Sequence, residues 1–111
     1  MNKKLFDKYR DDFNRDGFVM MKDAISKTQL EAMRSTLNHW VDDSRNFSGN
    51  FGEQMDGRPR FDVEPNTHSK SNPALRRVAS PIEVSDTYLD VTRDNAALDL
   101  IAHIFNPNIK L

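Results

Sequence analysis

The sequence predicts an α+β domain, mainly helical, with one to three short strands. Three observations carry this. Ser26 opens a helix with Gln29 three residues on, and Leu30, Met33, Leu37, Trp40 and Val41 then recur at steps of three and four. Ala97, Leu100, Ile101, Ile104 and Phe105 give a later helix the same one-sided apolar face. Strand character is confined to short runs such as Phe18 to Met21 and the alternating Arg60-Phe61-Asp62-Val63.

Leu5, Phe6, Tyr9 and Phe13 form an N-terminal helical stripe that ends near Asp16-Gly17, where glycine can take the positive φ of a helix stop. Phe18 to Met21 follows as a strand. Ile25 and Leu30 stand where a hydrophobic staple would bracket the Ser26 cap, and the helix should run from Lys27 to about Arg45. From Asn46 to Asn72 periodicity fails, and 46–72 reads as one long loop, functional or mobile, with Arg60 to Val63 its one strand-like run. A helical turn is expected near Pro73 to Arg77. Ser80-Pro81-Ile82-Glu83 is a second capping pattern, so a helix should run from there to about Arg93. Asp94 is the expected cap of the last helix, and Asn106-Pro107 its end. Ile109 to Leu111 has the start of a strand.

The 111 residues suffice for one domain or part of one. Leu, Ile, Val and Phe number only 26, a thin supply for an independent core. Net charge is −1, which gives no general attraction to nucleic acid or to an anionic membrane. Cysteine is absent, so thiolate chemistry is excluded. The first residues have no apolar run of signal-peptide length, and nothing approaches a membrane span. A cytoplasmic location is the expectation. The strand start at Ile109, after a well-ended helix, leads us to expect the N-terminal portion of a longer polypeptide.

Candidate chemistry is sparse. The three histidines, His39, His68 and His103, are not followed two residues later by Asp or Glu, so no H-x-D start of an iron-binding triad is present. His39 and Asp43, one helical turn apart, read as a solvated face, and His103 as a boundary residue of its helix. No G-x-S-x-G and no P-loop occurs. The arginine-rich stretch is the exception. Arg58, Arg60, Arg76 and Arg77 can clamp a carboxylate or phosphate, with His68 orienting a substrate. The plainer alternative is a surface network in which Asp56, Asp62 and Glu64 neutralise them.

Four segments together bring a family into view. D-G-F-V-M-M-K-D-A-I-S-K-T-Q-L-E-A-M-R, G-R-P-R-F-D-V-E-P, A-L-R-R-V-A-S-P-I-E-V-S-D-T-Y-L-D-V and the final N-P-N-I-K-L resemble the N-terminal part of the phytanoyl-CoA dioxygenase family. The resemblance covers nearly the whole chain, but none of the four is a catalytic signature. It implies a double-stranded β-helix (jelly-roll) oxygenase that uses Fe(II) and 2-oxoglutarate to hydroxylate an unactivated C–H bond. The substrate is a small molecule, an acyl-CoA among the options. In that family the H-x-D pair and distal histidine follow the strand that begins like Ile109 to Leu111. The sequence ends before them, so no catalytic, metal or 2-oxoglutarate ligand carries over to any position here. The resemblance thus implies that residues 1–111 are a single partial domain, inactive alone, missing its C-terminal jelly-roll half. Two other readings stand beside it. One is a free-standing helical binding module that holds an anionic partner on the Arg58 to Arg77 loop. The other is a degenerate, non-catalytic relative.

Overall fold

The structure, a computed structural model, describes residues 3–105. About half of these are helical, and a three-stranded antiparallel sheet completes an α+β architecture. The radius of gyration is 17.9 Å, against about 13 Å for a compact globule of this length.

Helix α1 spans Lys3–Asp16 and buries Phe6. It stops where the sequence expects: Gly17 takes φ 80°, and its N–H returns to the Phe13 carbonyl. Phe18 to Met21, expected as a strand, takes no regular structure. An apolar run without a neighbouring strand has no ladder to satisfy its backbone.

Helix α2, Lys27–Ser44, opens with the expected capping box: the Gln29 N–H donates to Ser26 Oγ at 3.1 Å and the Ser26 N–H to Gln29 Oε1 at 2.9 Å. Ile25 and Leu30, expected as a staple, both remain exposed. The Gln29 amide also donates to the Asp94 carbonyl at 2.6 Å, which ties the start of α2 to a distant part of the chain.

The expected 46–72 loop is corrected. The run Arg60 to Val63 is a strand as expected, β2, Pro59–Val63, but it pairs through a hairpin with an unexpected strand β1, Phe51–Glu53. Strand β3, Leu75–Val78, lies where a helical turn was expected near Pro73 to Arg77, and the sheet order is β1-β2-β3. Val78 pairs with Phe61 and Arg77 with Asp62, but Leu75 with Val63, so Arg76 is an extra residue at a bulge.

The Ser80 capping pattern is also corrected. Ser80 adopts φ 45° and makes no side-chain cap; Pro81–Glu83 is a single 3-10 turn. Ser85 instead caps α3, Asp86–Arg93. Asp94 closes α3, and Asn95 caps α4, Ala96–Ile104, through a 2.8 Å bond from the Leu98 N–H. Asparagine and aspartate cap equally well, so composition does not choose between neighbours. The expected helix end at Asn106-Pro107 and strand at Ile109 to Leu111 lie outside the described residues.

Two clusters result. In one, Phe47 stacks on Phe51 at 4.0 Å and Phe51 on Phe61 at 4.6 Å, while Phe61 meets Trp40 edge-on and Trp40 stacks on Tyr88. This welds one sheet face to α2 and α3. In the other, α1 packs on α4 through Phe6 against His103 and Phe13 against Phe105. Among the described residues the buried apolar side chains are few: Phe6, Trp40, Val63, Val91 and Leu100. Among the described residues no helix is long and apolar enough to cross a membrane.

Candidate functional site: the charged face of the sheet

Alternation along β2 sends Phe61 to the aromatic face and Arg60 and Asp62 to the other. Both charged residues are buried, at 6% and 5% exposure. Buried charges need partners, and both have them. Arg60 Nη1 lies 2.7 Å from Glu83 Oε2 and donates to the Ala79 and Ser80 carbonyls at 2.9 and 3.3 Å. Its Nε is buried without a hydrogen-bond partner. The Asp62 carboxylate accepts from Arg77 Nη2 at 2.5 Å, with Arg76 Nη2 at 3.9 Å. The bulge is what brings both β3 arginines around one carboxylate. Arg76 also approaches Glu64 at 3.7 Å.

Arg58 stands apart at the hairpin tip, against Asp56 at 2.6 Å. A side-chain hydrogen bond from Arg58 holds the Asp56 carboxyl below the usual carboxylate range. The structure thus gathers Arg76 and Arg77 on Asp62, places Arg60 beneath the 3-10 turn, and leaves Arg58 elsewhere. Each guanidinium has a carboxylate neighbour within the chain, which is the plainer of the two arrangements the sequence allows.

His68 joins none of them. Its Nε2 lies 3.0 Å from the Ser44 carbonyl and 2.8 Å from the Phe47 carbonyl, while Nδ1 accepts the Ala74 N–H at 2.9 Å. Carbonyls only accept and the amide only donates, so these partners assign the proton to Nε2. Every polar atom of the ring is engaged, and His68 fastens the end of α2 to the segment before β3. The other histidines are paired too. His39 lies 3.4 Å from Asp43 on the exposed face of α2, and His103 lies 2.8 Å from Asp7 across the α1–α4 contact.

The sequence reading named Asp56, Asp62 and Glu64 as the acids that neutralise these arginines, but as a surface network; it missed that Asp62 is buried and that Glu83 is the partner of Arg60. The period-2 pattern of β2 placed Asp62 beside Arg60, which was the available signal. Glu83 had none, because its approach depends on the turn after β3. Among the described residues no group of three His, Cys, Asp or Glu side chains is arranged to hold a metal ion. The three histidines lie on separate contacts, so the residues present do not fit an iron centre. Comparison with protein-family models, curated proteins and solved structures returned no match.

Proposed function

We propose that this chain is the N-terminal helical layer and first strands of a phytanoyl-CoA dioxygenase-like hydroxylase that depends on Fe(II) and 2-oxoglutarate. The observation that carries the reading, beside the sequence resemblance, is apolar surface left open where a layer would meet its sheet. Phe18 is 64% exposed, Met20 82% and Phe105 65%. Phe18 and Phe105, with Met21, line a groove of about 350 Å³ that also includes Leu100 and Ile104. A helical layer built against a larger β-scaffold has this character; a self-sufficient domain covers such faces.

In the whole enzyme, iron and 2-oxoglutarate would supply oxidative decarboxylation coupled to hydroxylation of a C–H bond. No step of that chemistry falls to residues 1–111, and their part is to pack and to position. The jelly-roll half and the metal ligands belong to the rest of the enzyme, and residues 1–111 supply part of the substrate-side loop for an acyl-CoA or another small molecule. The rival module, an anion clamp on Arg58, Arg60, Arg76 and Arg77, draws less support, since acids within the chain already occupy those groups.

The test has two arms. The coding sequence beyond Leu111 should encode an H-x-D within a few tens of residues; a stop codon there overturns the proposal. Anaerobic titration with Fe(II) and 2-oxoglutarate should give a charge-transfer absorption band for the longer product and none for residues 1–111. A band from residues 1–111 alone would put the metal site in the wrong half.

A further inference from the structure

The tip of the β1–β2 hairpin holds an Asp-Gly pair, Asp56-Gly57, next to the fully exposed Met55. Glycine puts no side chain in the way of attack by its own amide nitrogen on the preceding carboxyl. Such pairs therefore cyclise readily in flexible chains. Here both reacting groups are held. The Gly57 N–H donates to the Gln54 carbonyl at 3.0 Å, and the Gln54 N–H to the Arg58 carbonyl at 2.9 Å, which closes the tip. Asp56 Oδ1 accepts the Arg58 backbone N–H at 3.1 Å, and Oδ2 accepts Arg58 Nε at 2.7 Å.

We propose that Asp56-Gly57 is a succinimide-forming site, and that the Arg58 guanidinium and the Gly57–Gln54 hydrogen bond keep it in the aspartate form. In the reaction, the Gly57 nitrogen gives up its proton and bonds to Asp56 Cγ. A carboxyl oxygen leaves as water, which requires the neutral acid. Water then opens the five-membered ring at either carbonyl. One opening restores aspartate; the other leaves isoaspartate, with the backbone routed through Cβ and Cγ. The net change is an isomerisation, and it needs no oxidant or reductant.

Arg58 opposes the step by favouring the anion, in line with the lowered protonation range of Asp56. The Gln54 carbonyl opposes it by occupying the nucleophile's N–H. The consequence is structural. An extra backbone atom at the tip would break the Glu53–Pro59 and Phe51–Phe61 register, and Phe61 belongs to the aromatic stack. Isomerisation at this exposed turn would therefore reach the core.

The experiment ages the full chain near neutral pH and reads isoaspartate at position 56. Detection uses isoaspartate methyltransferase labelling and electron-transfer fragmentation of the peptide covering residues 46–60. Arg58→Gln should speed formation roughly two- to five-fold, the range an exposed ion pair supports. Arg58→Lys, which keeps the charge but loses the fork, should fall between. In denaturant all three should react alike. Added salt should speed the reaction in the folded wild type, because it screens the pair, and not in the denatured chain. Equal rates for folded wild type and Arg58→Gln, or no salt effect on the folded wild type, overturn the proposal.

Discussion

Arg60 and Glu83 form an ion pair at 2.7 Å whose two ends sit in different solvents: the guanidinium is 6% exposed, the carboxylate 46%. Removing one end is therefore not equivalent to removing the other. Glu83→Ala strands a buried cation on two backbone carbonyls, and we expect it to cost about 1–3 kcal/mol, below the usual figure for a fully buried pair because Glu83 is half in water. Arg60→Met removes the buried charge and leaves Glu83 to solvent, so it should cost less. Urea midpoints of both single variants and the double variant check the order. A costlier Arg60→Met would mean that the bonds to Ala79 and Ser80 matter more than the charge.

His68 bridges three backbone groups that come from both sides of the β1–β2 hairpin. His68→Ala leaves two carbonyls and one N–H without this partner, so a loss of roughly 2–3 kcal/mol is expected. His68→Gln, whose amide has both a donor and an acceptor, should recover part of it. Hydrogen exchange at the Ala74 amide is the local readout: it should quicken in His68→Ala by more than the global loss of stability explains.

That role was invisible in the sequence because its partners lie 24 and 21 residues away in Ser44 and Phe47. The legible parts were local ones. The stop at Gly17 and the Ser26–Gln29 box are fixed by groups within four residues, and both formed. Local signals failed where two neighbours offered the same chemistry. Ser85 took the cap expected of Ser80, and Asn95 the one expected of Asp94. Strands β1 and β3 are too short to show a period, and Leu-Arg-Arg-Val has no alternation. Its strand state comes from pairing with β2, a tertiary effect. The arginines and their neutralisation by Asp56, Asp62 and Glu64 were legible as residues, but the gathering of two arginines on Asp62 depended on the bulge, and the Glu83 partner of Arg60 on the turn.

Gly52 sits at φ 71° in β1, and a methyl group built there would lie 3.0 Å from both Arg60 Cβ and Phe61 Cδ2. Gly52→Ala thus combines a left-handed backbone with a clash against the neighbouring strand, and should cost about 2–3 kcal/mol. Gly57 also has positive φ, 83°, but open space around it. Gly57→Ala should cost only the backbone share, about 1 kcal/mol. Thermal melts of the two variants compare clash plus strain with strain alone.

The Asp7 carboxyl is held below its ordinary range, first by its hydrogen bond to His103 and then by nearby Arg10. A lowered folded-state value makes the contribution complete above the ordinary carboxylate range, about pH 4, and lost as pH falls through the lowered value. The α1–α4 contact should therefore loosen in acid before the aromatic cluster does. Hydrogen exchange of α1 against pH would show it. Asp7→Asn should flatten that acid dependence and leave the exchange of α2 unchanged.

Phe18 and Met20 follow the end of α1 with most of their surface in water, and Phe18 lines the same groove as Phe13 and Phe105. Side chains this exposed contribute little to the fold of the isolated chain, so replacing both with serine should shift stability by no more than about 0.5 kcal/mol. Contiguous exposed apolar surface does promote association. The wild-type chain should self-associate at high concentration and bind a hydrophobic dye, and the double variant should do both less. Sedimentation equilibrium and dye fluorescence measure this directly. If the patch is instead a packed part of this domain, the pattern inverts: the variant melts well below the wild type and its dye binding rises. The two outcomes separate a layer awaiting a β-scaffold from a domain complete in itself, because the first gains solubility from the change and the second loses its core.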